Sequence, residues 1–195
     1  MRNISLEHSK QADKSWGDLY YHILPELINK MELKKGIELG TAFGGHSESI
    51  LEKTNIDKLY AIDAYTKFDD STDNFYWDGI PYDQADYDNM YSFTVERLSK
   101  FGDRCMLLKG KTGSSYPQIN TPLDFIFIDA LHTYDGVLND LERWYAEIRI
   151  GGLISGHDYN HPNFPGVTKA VDEFSGLKNC NIIECEGHIW YFIKK

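Results

Sequence analysis

Two aspartates and two histidines follow apolar runs of the sequence, where side chains that perform chemistry are expected. Asp129 ends one such run, His157 and Asp158 end the next one, and His132 lies three residues after Asp129. Carboxylates and imidazoles are potential ligands of a divalent metal, and a neutral imidazole near a hydroxyl group can remove its proton. His132 is therefore a candidate catalytic base. An imidazole that only orders its loop by bonding to a backbone carbonyl fits the sequence equally well.

A glycine-rich turn forms a second candidate site. It runs from Gly40 to Gly45, Glu38 stands two residues before it, and Asp63 ends the next apolar run. Such a turn can merely close a strand against a helix. An acid at the position of Asp63 can also accept both ribose hydroxyls of a nucleoside. The Gly-x-x-x-Gly-Gly spacing with an upstream acid suits a pyrophosphate poorly. It favours S-adenosylmethionine over NAD, because a carboxylate before the turn attracts an ammonium and a sulfonium, and the N–H groups near Gly45 to Ser47 attract the cofactor's carboxylate.

The elements that must position these residues alternate along the chain. Apolar runs at 36–39, 58–63, 105–108, 124–129 and 153–156 predict strands that are covered on both faces, as in a parallel sheet. Helical spacing predicts helices over 19–31, 47–53 and 167–174, and another whose apolar face is Val137, Leu141, Trp144 and Ile148 and which ends at Gly151-Gly152. Segments 181–186 and 189–193 predict a hairpin. This order indicates a doubly wound, mostly parallel α/β sheet with an antiparallel edge.

Composition limits the classes of partner. The 195 residues include 20 Lys plus Arg and 30 Asp plus Glu, a formal charge of −10, and 42% are hydrophobic, which predicts one domain over 1–195 with a real core. A net negative chain lacks the basic field that binds nucleic acids and anionic membranes. Three cysteines without CxxC spacing indicate reduced thiols, and the first 30 residues contain no apolar segment of secretory type, so we expect a cytoplasmic protein.

Much of the negative charge lies in one segment, 66–90, which holds seven aspartates and one lysine. The segment also holds six aromatic side chains: Phe68, Phe75, Tyr76, Trp77, Tyr82 and Tyr87. We predict an insertion that covers the substrate as a lid, with a solvated loop and a dimer contact as the rival interpretations. Aromatic faces beside carboxylates suit a neutral polyhydroxylated or a cationic acceptor.

Several stretches together resemble class I S-adenosylmethionine-dependent methyltransferases. They are 37–47 with its glycine turn, Asp63 and 127–137, and the later stretches 151–159 and 166–171 are similar to the small stand-alone methyltransferase-24 group. The resemblance implies a Rossmann-like sheet of seven strands, the last antiparallel, and methyl transfer to an oxygen of a small molecule such as a sugar or a phenolic compound. It also implies that the cofactor contacts Glu38, Gly40, Thr41, Phe43, Gly44, Ser47, Asp63, Ala64, Thr112 and Asp129, with Asp63 at the ribose, Thr112 at the adenine edge and Asp129 beside the sulfonium.

Catechol-type and macrolide-sugar O-methyltransferases are similar to this chain around Asp129, His157 and Asp158, the three residues that we predict as metal ligands. They hold magnesium there with oxygen ligands, whereas this chain has an imidazole at His157, which suits manganese, iron or zinc, or no metal. Two alternatives to methyl transfer stay open. One is an iron-dependent enzyme similar to cephalosporin hydroxylase-like proteins, and the other is a cofactor-binding protein without turnover. The sequence leaves the oligomeric state open, and a homo-oligomer is compatible with it.

Overall fold

In the computed structural model, strands and helices alternate as the sequence predicts. The structure describes residues 5–17, 19–67, 76–77, 80–114 and 116–195. The strands are β1 (Lys35–Leu39), β2 (Lys58–Asp63), β3 (Tyr76–Trp77), β4 (Ile80–Pro81), β5 (Cys105–Lys109), β6 (Leu123–Ile128), β7 (Ile148–Gly156), β8 (Ile183–Glu184) and β9 (Trp190–Ile193). The helices are α1 (Ser5–Gly17), α2 (Ile23–Lys30), α3 (Gly45–Lys53), α4 (Gln84–Ser99), α5 (Tyr134–Tyr145) and α6 (Pro165–Leu177).

Seven strands form one sheet in the order β5-β2-β1-β6-β7-β9-β8. The first five strands of this order are parallel, β9 is antiparallel to β7, and β8 is antiparallel to β9. The predicted doubly wound sheet and its terminal hairpin are therefore confirmed. The carboxyl ends of β1, β2, β6 and β7 lie at the same edge, which places the strand-end residues of the sequence close together.

Both faces of the sheet are buried, because alternate residues of each strand point to opposite sides. On one side, Ile37, Leu39 and Ile128 pack in a cluster with apolar side chains of α5 and α6. On the other side, Phe125 and Phe127 pack with side chains of α2, α3 and α4. The continuous apolar runs of the sequence follow from this two-sided burial.

The helix predicted to extend to Ile148 ends earlier than its pattern indicates. It ends at Tyr145, and Ile148 begins β7, so Gly151 and Gly152 lie within the strand and do not end the helix. The reason is a bulge: β6 advances from Leu123 to Phe125 while its partner advances from Ile148 to Leu153. A Cβ atom on Gly152 would lie 2.5 Å from Cγ2 of Ile148, so the bulge needs a glycine there.

The N-terminal region also differs from the prediction. The predicted helix over 19–31 is the shorter α2, and Tyr20 and Tyr21 lie in the turn before it. The helix α1 precedes this turn and contacts α3 and α4. Within the part of the chain that the structure describes, no helix is long and apolar enough to cross a membrane.

The structure covers only part of the 66–90 insertion. Phe68, Asp69, Asp70, Asp73, Phe75 and Asp78 lie outside the described residues, so the lid stays a prediction. At its other end, Tyr82 and Tyr87 are buried in a cluster with Ala12 and Phe43. These two aromatic rings connect the insertion to α1 and to the glycine turn, and their burial leaves them unsuited to stack on an acceptor.

The edge opposite the predicted site is held by one carboxylate. Asp124 accepts hydrogen bonds from the backbone N–H groups of Lys34 and Lys35 at 2.9 and 2.8 Å and from Nε of Arg149 at 2.6 Å. Burial raises the pKa of Asp124, but these donors outweigh it and lower the pKa below its ordinary value. One ionised side chain thus joins the amino ends of β1, β6 and β7.

Candidate active site

The glycine turn brings the end of β1 against the end of β6. Gly40 has a φ of +90°, and a Cβ atom there would lie 1.8 Å from the backbone oxygen of Asp129. Gly44 has a φ of +76° and is the N-cap of α3. Between them, the buried Oγ1 of Thr41 has no hydrogen-bond partner among the residues that the structure describes. The turn thus requires glycine for close approach and presents a buried hydroxyl that a ligand would satisfy.

A hydrogen bond joins two of the residues predicted to contact the cofactor, Glu38 and Ser47. Oε1 of Glu38 accepts a hydrogen bond from Nδ1 of His46 at 2.7 Å, and Oε2 accepts one from the Ser47 hydroxyl. All three side chains are buried. The pairing of His46 with Glu38 was not predicted, because it depends on the direction in which α3 leaves the turn. Within the described segments, the Nε2 atom of His46 is buried without a partner.

Asp63 lies beside the same turn. Its carboxylate accepts the backbone N–H groups of Ala42 at 2.9 Å and Tyr65 at 2.8 Å. Burial raises the pKa of Asp63 more than these N–H groups lower it. Each carboxylate oxygen retains acceptor capacity after these bonds, since a carboxylate has about four acceptor sites. The arrangement allows the predicted ribose contact, and Ala64 follows directly at the end of β2.

Thr112 lies in the loop after β5, where the adenine edge was predicted. Its hydroxyl bonds to the buried Asp140 of α5, and its carbonyl accepts Nε1 of Trp144 at 2.9 Å. Burial raises the pKa of Asp140 to about 6, although the bond from Thr112 acts in the opposite direction. Because α5 holds both of these groups, only the backbone N–H of Thr112 is suited to the predicted contact.

At the ends of β6 and β7, the four strand-end residues of the sequence form one cluster. The Nε2 atom of His132 lies 3.0 Å from Oδ2 of Asp158 and 3.5 Å from Oδ1 of Asp129. The Nδ1 atom of His157 lies 3.1 and 3.6 Å from the same two oxygens. Among the described residues, the ligand atoms that lie within 4.8 Å of one another belong to Asp129, His132 and Asp158, so this group contains His132 in the place of the predicted ligand His157.

The charges in this cluster stabilise one another. Burial raises the pKa of Asp129, but His157 and His132 outweigh it and lower the pKa; the same two imidazoles lower the pKa of Asp158 against its burial. Burial lowers the pKa of His157, but Asp129 and Asp158 raise it to about 10. Two carboxylates and at least one imidazolium therefore meet at this edge near neutral pH.

Tyr20 completes the cluster, and the sequence pattern assigned it only to a helix face. Its hydroxyl donates to Oδ2 of Asp129 at 3.3 Å, and its ring stacks on His157 with a centroid distance of 4.1 Å. Burial raises the pKa of Tyr20 well above its ordinary value, with a further contribution from Asp129, so it stays a donor. The backbone of Gly187, at a φ of +62°, lies close to Tyr20. A side chain at this position would crowd the tyrosine, because a Cβ atom on Gly187 would lie 3.1 Å from Cβ of Tyr20.

Comparisons with known proteins agree with this geometry. Residues 37–159 match a family model described as a methyltransferase domain. An uncharacterized protein of Acanthamoeba polyphaga mimivirus is 25% identical over 162 residues, which cover 80% of this chain and 66% of that protein, just under two thirds of its length.

Two solved structures share the fold. The O-methyltransferase TomG of Streptomyces achromogenes, involved in tomaymycin synthesis and solved with S-adenosylmethionine, is 15% identical, with a TM-score of 0.64 over 98% of this chain and 90% of its own. An O-methyltransferase of Bacillus cereus, solved with S-adenosylhomocysteine, is 16% identical, with a TM-score of 0.63 over 89% of this chain and 80% of its own.

Proposed function

This chain belongs to the methyltransferase domain family, and we propose that it transfers a methyl group from S-adenosylmethionine to a hydroxyl group of a small molecule. The observation that carries the proposal is the cluster of Asp129, His132, His157 and Asp158 beside the glycine turn. In this proposal, the cluster supplies the groups that bind and deprotonate the hydroxyl, next to the residues expected to hold the cofactor. The relatives solved with this cofactor or its product support the same reaction.

The residues around the turn fit this cofactor. Among the described residues, Thr41 offers a buried hydroxyl without a partner, and Asp63 has acceptor capacity for two ribose hydroxyls. Because Gly40 has no side chain, the turn can lie directly against the backbone of Asp129, which brings the cofactor residues next to the strand-end cluster. When bound, S-adenosylmethionine supplies a methyl group on a positively charged sulfur. Asp129, whose low pKa keeps it ionised, favours such a positive charge.

His132 is the base in this proposal. Its imidazole is partly exposed, which leaves it accessible to an acceptor, and its ring stacks on Phe164 at 4.4 Å. The Nε2–H group of His132 faces Asp158 at 3.0 Å and Asp129 at 3.5 Å, so in this proposal the other ring nitrogen, Nδ1, takes the proton of the acceptor hydroxyl, and the two carboxylates stabilise the imidazolium that forms. Asp129 and Asp158 therefore act by orienting and stabilising the base.

A groove beside Phe164 is the proposed site for the remainder of the acceptor. Its volume is about 570 Å³, and Asn160, His161, Pro165, Lys169, Asp172 and Glu173 are among its lining residues. Amide and carboxylate oxygens accept hydrogen bonds from hydroxyl groups, and Pro165 offers an apolar face. The lining therefore suits a neutral polyhydroxylated compound such as a sugar. The 66–90 insertion is proposed to cover this compound as a lid.

Calorimetry and turnover test the proposal separately. Wild-type protein is titrated with S-adenosylhomocysteine, and binding is expected. Release of this product is then measured with a panel of sugars and phenols for wild type and His132→Gln. The variant is expected to lose turnover by about 10²- to 10⁴-fold while its affinity for S-adenosylhomocysteine is retained. Unchanged turnover with an accepted compound would exclude His132 as the base.

A second candidate is a metal-assisted reaction. Two carboxylates and an imidazole with ligand atoms within 4.8 Å of one another, with a further imidazole from His157 beside them, fit manganese, iron or zinc better than magnesium. A divalent metal held there would lower the pKa of an acceptor hydroxyl. Because Nε2 of His132 cannot both donate a hydrogen bond to Asp158 and bind a metal, the two candidates exclude each other at this atom.

Metal content and chelation distinguish the two roles of His132. If it is the base, exhaustively chelated protein keeps its turnover, and His132→Gln loses it. If it is a ligand, chelation abolishes turnover, added manganese restores it, and His132→Gln weakens manganese binding. The iron-dependent hydroxylase alternative requires bound iron in the purified protein and a product that contains no transferred methyl group.

A further inference from the structure

The N-terminus of α3 is covered by a carboxylate of the chain itself. A Cβ atom on Gly45 would lie 2.2 Å from Oδ1 of Asp13 and 3.0 Å from the hydroxyl oxygen of Tyr21. A helix N-terminus attracts anions through its unpaired N–H groups and its dipole. The sequence predicts this position, near Gly45 to Ser47, for the carboxylate of the cofactor. In the structure, the carboxylate of Asp13 of α1 lies beside this position, where a Cβ atom of Gly45 would be.

Arg97 holds Asp13 in this place. Its guanidinium lies 2.9 Å from Oδ2 and 3.1 Å from Oδ1 of Asp13, and the same group donates to the carbonyl of Phe43 at 3.3 Å and, through Nε, to Glu48 at 2.7 Å. Arg97 thereby joins α1, α3, α4 and the glycine turn. The Asp13 side chain keeps 34% of its surface exposed, so the pair can exchange with a competing anion.

The tyrosine pair after α1 contacts the other end of the same region. Tyr20 donates to Asp129, which is expected beside the sulfonium, and its ring stacks on His157. Its neighbour Tyr21 lies against Gly45. One short segment of the chain thus touches both ends of the expected cofactor site.

Two buried polar atoms in this region have no partner within the segments that the structure describes. They are Oγ1 of Thr41, in the glycine turn, and Nε2 of His46, whose ring lies 5.6 Å from that of Tyr20 and 5.3 Å from that of Tyr21. Buried polar groups normally have hydrogen-bond partners. A ligand that enters this region when the contacts of α1 and the tyrosines are released would supply partners for both atoms.

We propose that α1 and the tyrosine pair form a latch, in which the carboxylate of Asp13 occupies the place of the cofactor's carboxylate and leaves when the cofactor binds. The inference rests on the proposed function. Two carboxylates repel each other at one helix end, so binding of the cofactor and the present position of Asp13 exclude each other. Arg97 remains attached to Glu48 and Phe43 after Asp13 has left.

The test compares affinities for S-adenosylhomocysteine, measured by calorimetry on the full chain. Asp13→Asn removes the competing charge and is expected to bind about three- to fivefold more tightly than wild type. Glu7→Gln makes the same chemical change at an exposed position of α1 and is expected to bind as wild type does. Hydrogen exchange of the α1 amides is expected to be faster in Asp13→Asn, and in wild type after S-adenosylhomocysteine is added.

The outcomes separate the latch from the proposed function. Weaker or equal binding by Asp13→Asn would overturn the latch while the methyltransferase proposal stands, because Asp13 would then be part of the binding site or irrelevant to it. Binding by Asp13→Asn without measurable binding by wild type supports both. Absence of binding by all three proteins overturns both. Slower exchange of α1 on addition of the ligand would also contradict release of the latch.

Discussion

Asp140 makes the stability of the protein depend on pH. This residue of α5 is 2% exposed and faces Thr112 in the loop after β5. Burial raises the pKa of Asp140 to about 6 from an ordinary 3.8. The folded protein therefore keeps a proton on Asp140 at pH values where the unfolded chain has lost it. Stability falls as the pH rises from the unfolded pKa through the folded one, and the loss is complete above both.

The magnitude follows from the two pKa values. At pH 7.5 both states are ionised, and the folded state is disfavoured by about 3 kcal/mol, whereas at pH 4.5 the difference is about 1 kcal/mol. Asp140→Asn removes the ionisation, and its amide oxygen can still accept the bond from Thr112. The variant is expected to exceed wild type in free energy of unfolding by up to about 3 kcal/mol at pH 7.5 and by about 1 kcal/mol at pH 4.5.

Urea unfolding followed by tryptophan fluorescence, at both pH values, measures this difference. Glu142→Gln provides the control, since Glu142 is an exposed acid on the same helix, and its replacement should change stability by less than about 0.5 kcal/mol. The reasoning is refuted if Asp140→Asn is less stable than wild type at pH 7.5. A gain that is equal at the two pH values would show that ionisation of Asp140 is not its cause.

Three further changes test the site. Asp63→Ala is expected to weaken binding of S-adenosylhomocysteine at least about tenfold in calorimetry, because the ribose contact is lost; equal affinity would contradict it. Gly40→Ala places a Cβ atom 1.8 Å from the backbone oxygen of Asp129 and should cost about 3 kcal/mol or more in urea unfolding, whereas Gly113→Ala, with open space around it, should not. Tyr20→Phe should cost about 1 kcal/mol and Tyr20→Ala about 3–5 kcal/mol, since only the second loses the stacked ring; equal losses would contradict this.

Strands and their end residues were predictable because their pattern is local. The run from Lys58 to Asp63 is a strand with those bounds, since continuous apolar residues are typical of a sheet buried on both faces. The meeting of Asp129, His132, His157 and Asp158 was predictable in the same way, because the carboxyl ends of neighbouring parallel strands share an edge. Neither inference depends on knowing the direction in which a side chain points.

Features that depend on distant parts of the chain were not predictable. The helix α1 has few apolar residues, and its position depends on contacts of Asp13 with Arg97 on α4. The glycines of the β7 bulge resemble a helix end, and what distinguishes them is their backbone pairing with Lys194, which follows the neighbouring strand β9 and is more than 40 residues away in the sequence. The roles of Tyr20 and His46 follow from ring orientations that tertiary packing sets, for which periodicity carries no signal.

The carboxylate of Asp124, at the amino edge of the sheet, has a consequence for how the protein can diversify. It joins β1, β6 and β7 far from the residues that face the acceptor. Replacement of the segments that follow β2 and β7 leaves these bonds intact, so new acceptor preferences can arise without loss of the scaffold. Library selection confined to 66–81 and 159–163 is therefore expected to yield folded variants more often than equal randomisation around Asp124, and the fraction of soluble clones measures the difference.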